Sequence, residues 1–172
     1  MPDSSVFPKD TGGQVSDFSL STARGATHSS YSARSEGLLL VALFRSECET
    51  CQYSAPYIQR FHTLYAEPSG GRFQVWGVSQ DSEEETADFV EEHGLTFPVL
   101  LDEHLQVSEA YAIVAVPDLY LLNKNREIQG AVVGGFRREG FNALAKRIAD
   151  TLGVPYLPVA RDEDNALALK PG

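Results

Sequence analysis

The chain has 172 residues, 42% of them hydrophobic and 22% charged. That is enough apolar material for one domain with a sizeable core, and too little charge for a chain disordered throughout. Its 14 Lys and Arg against 24 Asp and Glu leave a formal net charge of -10, which repels phosphate backbones and anionic membrane surfaces and argues against nucleic-acid or membrane binding.

Residues 1–15 are polar and carry Pro2, Pro8, Gly12 and Gly13, the pattern of a flexible lead-in. They contain no basic n-region and no apolar h-region. The longest apolar run, Leu38–Phe44, is too short to span a bilayer. The expected location is the cytoplasm, or outside it if a leader has been removed. Thr22–Ser30, rich in Gly, Ser and Thr and flanked by Phe18–Leu20 and Tyr31, predicts a short strand pair or a loop. Leu38–Phe44 is continuously apolar and predicts a central strand buried on both faces, the kind found in parallel sheets. Between Ser54 and Leu64, apolar Tyr57, Ile58, Phe61 and Leu64 recur at helical spacing. Pro68–Gly71 is a turn, and the alternating Phe73–Val78 a second strand.

Ser82 with Glu85 forms a capping box for a helix that reaches about His93 and stops at Gly94. Phe97–Leu101 predicts a short strand, and Leu105, Val107, Ala110 and Tyr111 another helix. Leu119–Leu122 and Ile128–Val133 read as a hairpin around Asn123–Arg126, broken at Gly134-Gly135. A last helix, Gly140–Leu152, aligns Phe141, Leu144, Ile148 and Leu152 and ends at Gly153. From Pro155 the chain holds three prolines and the charged stretch Arg161–Asp164, the composition of a flexible tail. The expectation is one α/β domain over 1–155, including the lead-in, with a tail over 156–172.

The only two cysteines, Cys48 and Cys51, stand three apart where the buried strand passes into the helix. A Cys-x-x-Cys pair at a helix N-terminus meets free backbone N–H groups and the positive end of the helix dipole. Both favour a thiolate, the reactive form. Cys48 is the candidate nucleophile. Cys51, one turn inside, is the candidate resolving thiol. A structural zinc site calls for four ligands, and His28, His62, His93 and His104 show no ligand spacing, so no metal is assigned. Two inert buried thiols are the bland alternative. Glu47 and Glu49 bracket Cys48 and oppose a thiolate, while Arg45 promotes it. If the glutamates prevail, the oxidised form is relatively favoured and the pair is a reductant; if all three charges face water, salt screens them.

Leu38–Phe61, with Pro56 five residues after Cys51, resembles the active-site strand and kinked helix of the thioredoxin-like superfamily. Gly94–Asp102 resembles the stretch before the third strand in its peroxiredoxin-like branch (alkyl hydroperoxide reductases, or thiol-specific antioxidants, and the related cytochrome-maturation thioredoxins). Tyr111–Pro117 resembles the segment leading to the family's cis-proline, and Asn123–Ile128 the hairpin turn after it. The likeness covers about residues 15–152. It implies a thioredoxin-like fold: a central mixed β-sheet flanked by helices on both faces, with an N-terminal extension. It also implies that Pro117 is cis beside Cys48 and Cys51, in a loop where Val116 offers backbone hydrogen bonds to the substrate chain. The implied activity is thiol–disulfide exchange, with no cofactor beyond the redox-active disulfide. The implied partners are a protein disulfide, or a small thiol or peroxide, and a reducing partner protein.

Three departures stand out. Glu47 replaces the family's Trp, Asp118 the Thr after the cis-proline, and Ala42 the buried Asp of thioredoxins proper. The Asp118 carboxylate either raises the thiol pKa values or faces water, and any proton relay is absent or supplied elsewhere. A thiol peroxidase is the main rival. Its Thr or Ser three residues before the reactive cysteine, with Pro four further back, would fall on Arg45 and Val41, or on Cys48 and Phe44. Neither fits; Arg137 or Arg138 could serve as its distant Arg, but each reads better as a solvated charge at a helix start. A redox-inactive binding module is the third reading, argued against by the retained cysteine pair.

Overall fold

The computed structural model describes residues 13–172; the expected lead-in lies mostly outside them. In chain order the elements are β1 (Ser19–Ser21), β2 (Thr27–Ser29), α1 (Ser30–Glu36), β3 (Leu38–Phe44), α2 (Glu49–Phe61), β4 (Phe73–Ser79) and α3 (Glu83–Glu92). There follow β5 (Val99–Leu101), α4 (Gln106–Ala110), β6 (Asp118–Leu122), β7 (Ile128–Val132), β8 (Gly135–Arg137), α5 (Arg138–Leu152) and β9 (Leu169–Pro171). Five strands form a mixed sheet in the order β5-β4-β3-β6-β7. The apolar run β3 lies in its middle, parallel to β4 and antiparallel to β6, with all seven residues buried. A strand paired on both edges and covered on both faces has no solvated side, which is why its sequence does not alternate.

Successive side chains of β3 point to opposite faces. Ala42 and Phe44 share a buried pocket with Cys51, Ala55 and Ile58, so α2 covers that face. α5 joins it there, with Phe61 and Phe141 ring centroids 6.0 Å apart. The opposite face carries Val41, with Trp76 and Tyr120 beside it in register. Phe18 and Tyr111 pack edge-on around these rings.

The Thr22–Ser30 stretch supplies β2 of a strand pair and the turn before it, and β1 lies just ahead of it at Ser19–Ser21. The short helix α1 behind it has no apolar periodicity that would announce it. α2 starts at Glu49, ahead of its first apolar repeat, and a π-helical turn over His62–Ala66 extends it. α3 carries the anticipated capping box between Ser82 and Glu85. The largest departure is at the C-terminal end. Composition alone indicated a flexible tail over 156–172, but these residues fold back along α2 and α5. Tyr65 exchanges hydrogen bonds with Leu157, and Asn142 with Ala160. Arg60 holds Asp164 through both terminal guanidinium nitrogens, the Tyr53 hydroxyl accepts from Leu167 N–H, and β9 pairs with β8. Such partners leave no periodic trace in a sequence.

Candidate active site

Cys48 is the N-cap of α2, in extended backbone, and its Sγ accepts the Cys51 N–H at 3.1 Å. Helix N-termini leave such N–H groups without carbonyl partners, so the sulfur fills a vacancy that the helix itself creates. The Cys48 thiol donates to the Val116 carbonyl at 3.5 Å, and the Val116–Pro117 peptide bond is cis. Cys48 is half-buried and opens into a groove of about 820 Å³ between α2, the loop before β6 and the C-terminal segment. Cys51 sits behind it, 1% exposed. Burial pushes the Cys51 thiol far up; the hydrogen bond with Cys48 adds to this, a backbone hydrogen bond from Arg45 offsets part, and the Asp81 charge adds again.

The structure places the other anticipated residues unequally. Arg45, Glu47 and Glu49 all line the groove, and all three are exposed. Glu49, its side chain 87% exposed, stands 3.9 Å from Lys170. Asp118 does not join the sulfurs. It pairs with Leu43 in the sheet register, on the face opposite Cys51, and is 1% exposed. Its carboxylate accepts the Gly134 N–H at 2.7 Å and the Tyr120 hydroxyl at 3.1 Å. Burial outweighs these bonds and pushes its carboxyl up to about 6. Of the two arginines considered for a peroxidase, neither lines the Cys48 groove, and Arg138 bonds to the Ala166 carbonyl.

Sequence reasoning missed Asp81. Its carboxylate accepts the Ser46 N–H at 2.6 Å and so fixes the turn that carries Cys48. The available signal was positional: Ser79-Gln80-Asp81 ends a parallel strand beside β3, on the carboxyl edge where open α/β sheets place their sites. Gln80 extends this edge by donating to Ser108 Oγ at 2.8 Å. Thr50 was missed too; its hydroxyl donates to the Pro171 carbonyl.

Among known proteins, the chain matches the AhpC/TSA family over residues 11–131. It is 26% identical over 129 residues to the thiol-disulfide oxidoreductase ResA of Geobacillus kaustophilus, covering 74% of this chain and 72% of that one. It is 36% identical over 98 residues to ResA of Oceanobacillus iheyensis, covering 55% of this chain and 50% of the relative. Among solved structures, a Chlorobium tepidum chain assigned as thiol:disulfide interchange protein DsbE superposes with a TM-score of 0.72 at 25% identity. That match covers 84% of this chain and 99% of the other. Among the described residues no helix is long and apolar enough to cross a membrane.

Proposed function

The chain belongs to the AhpC/TSA family, and from that premise we propose that it is a thiol–disulfide oxidoreductase working as a disulfide reductase. The observation that carries this reading is the asymmetry of the pair: Cys48 at the mouth of a groove on a helix N-terminus, Cys51 buried behind it. The Cys48 thiolate attacks one sulfur of a substrate disulfide. That S–S bond breaks, the other substrate sulfur leaves as a thiolate and takes a proton, and Cys48 is held in a mixed disulfide. Cys51 then loses its proton and attacks Cys48 Sγ, releasing the second substrate thiol. Two electrons pass from the pair to the substrate, and the protein is left with a Cys48–Cys51 disulfide. No cofactor is required. The substrate is a disulfide, of a protein or of a small thiol, and a reducing partner protein restores the dithiol.

The reducing direction is part of this proposal. A pair becomes a strong oxidant when its reduced form is stabilised as thiolate. Burial and the Asp81 charge keep Cys51 a thiol, so it adds none of the thiolate stabilisation that marks an oxidant. The cytoplasmic placement is kept within this proposal, and cell fractionation checks it.

The test is a redox titration in glutathione or dithiothreitol buffers, with thiol trapping read by mass. The wild type forms one reversible two-electron disulfide, and Cys51→Ser accumulates the substrate on Cys48. Failure to form that disulfide would overturn the proposal: peroxide-driven sulfenic or sulfinic acid on one cysteine would then favour a peroxidase, and two unreactive thiols a redox-inactive binding module.

A further inference from the structure

The last described residues reach the cysteine groove. β9 runs antiparallel to β8, with Gly135 opposite Pro171, and Gly172 N–H donates to the Gly134 carbonyl at 3.1 Å. The Pro171 carbonyl accepts the Thr50 hydroxyl from the first turn of α2. Gly172 approaches the loop before Pro117 so closely that a Cβ on it would lie 1.9 Å from the Val116 carbonyl oxygen. This segment therefore touches three elements at once: the start of α2 and the loop ending at Val116, both of which line the Cys48 groove, and the Gly134-Gly135 turn. Pro171 and Gly172 themselves line the groove.

Its hold is uneven. The stretch from Leu157 to Leu167 is anchored on α2 and α5 by Tyr65, Arg60, Asn142 and Tyr53. Leu169, Pro171 and Gly172 are exposed, and beyond the pairing with β8 their attachments are the Thr50 hydroxyl and the distant Lys170–Glu49 pair. A firmly tethered base followed by a stretch with fewer side-chain attachments behaves as a strap that can lift. Extended polypeptides bind by adding main-chain hydrogen bonds to exposed backbone edges. The backbone beside Cys48 is that of Val116, which Gly172 crowds, and the strap takes the neighbouring Gly134 carbonyl for itself.

We infer that residues 169–172 are a specificity strap, which occupies the place of an extended substrate chain beside Cys48 and admits small disulfides more readily than polypeptide ones. The inference rests on the disulfide-reductase reading above. The rest of the groove, lined by Arg45, Glu47, Leu105 and Val114 among others and about 820 Å³ in all, leaves room for a small disulfide while the strap is down. A polypeptide must wait for it to lift. A strap closed about nine-tenths of the time weakens apparent binding about tenfold.

The experiment compares the full chain with a variant ending at Ala168, which keeps every anchor from Leu157 to Leu167. Thermal unfolding first establishes that the shortened protein is folded. A second variant, Lys170→Gly with Leu169→Gly in the full chain, loosens the strap without removing it. Each is given an unfolded disulfide-bonded polypeptide and cystine as substrates. The expected result is a rise of about tenfold in kcat/KM on the polypeptide, with cystine changed less than about twofold. The double-glycine variant moves the same way by less, and a synthetic peptide of residues 165–172 added to the shortened protein reverses the gain. Parallel gains on both substrates would show a mere cover over the sulfur and overturn the inference. An unchanged or lower polypeptide rate would also overturn it, by making the segment part of the substrate's platform. A failure of the underlying reading looks different: neither protein reduces either substrate, and both proposals fall.

Discussion

At Cys51 several influences act on one sulfur, and they separate in the mixed disulfide. There Cys48 is no longer a thiol and its contribution vanishes, whereas burial and the Asp81 charge persist. Cys51 therefore stays protonated through the working range, and its attack draws on a small thiolate fraction that grows about tenfold per pH unit. We expect the resolution rate, followed by stopped flow on a preformed mixed disulfide, to rise log-linearly from pH 6 to about pH 9. A plateau below pH 8 would contradict this. Asp81→Asn keeps an acceptor for Ser46 and drops the charge, so it speeds resolution at fixed pH.

Asp118 makes a second prediction on the same scale. Its folded carboxyl, pushed up to about 6, sits above the ordinary value of 3.8. Between those values the folded state binds the extra proton, so its contribution is full below about 4 and is lost as pH rises to about 6. The loss at neutral pH is at most about 3 kcal/mol. Asp118→Asn can still accept from Gly134 and carries no charge, so it raises Tm at pH 8 by several degrees more than at pH 4.5 (about 2–4 °C per kcal/mol for a chain of this size). Equal shifts at both pH values would refute the assignment.

Among the elements, α2 does two tasks with one sequence. Its first turn presents Cys48, and its outer face binds the C-terminal segment, with Arg60 stacked over Tyr57 and bonded to Val159 and Asp164. The Arg60 guanidinium holds the Asp164 carboxyl down to about 2. Its stabilising contribution is present above the ordinary carboxylate value and is lost as pH falls through about 2. Asp164→Asn is expected to speed amide exchange at Leu157, Ala160 and Leu167 by about tenfold, with the amides of β3 unchanged. Exchange that accelerates equally across the sheet would indicate global loosening instead of local release.

For the whole molecule, the junction of site, sheet and C-terminal segment is Phe136. It is fully buried, and its ring centroid lies 5.2 Å from Tyr53, 4.9 Å from Tyr57 and 4.8 Å from Phe141. Phe136→Ala is expected to cost about 3–5 kcal/mol and to lower Tm by about 10 °C in a calorimetric scan. A change under about 1 kcal/mol would mean that α2, β8 and α5 repack without it. Because β8 supports β9, the same variant also loosens the strap beside Cys48.

The sequence by itself determined the α/β class, the central strand, the capped helix α3 and the position of the Cys48–Cys51 pair at a strand-to-helix junction. Each is written in local chemistry: an unbroken apolar run, a Ser with its Glu three residues on, two thiols one helical turn apart. Helix α1 escaped notice because its short run has no apolar period. Tertiary structure alone decided which carboxylate faces the sulfurs. Asp118, near in sequence to Pro117, turns to the far face because strand side chains alternate, while Asp81 arrives from a neighbouring strand. It also decided the fate of residues 156–172. Their partners, Arg60, Asn142, Tyr53 and Thr50, are distant in the chain, and contacts between distant residues impose no period that a single sequence can show.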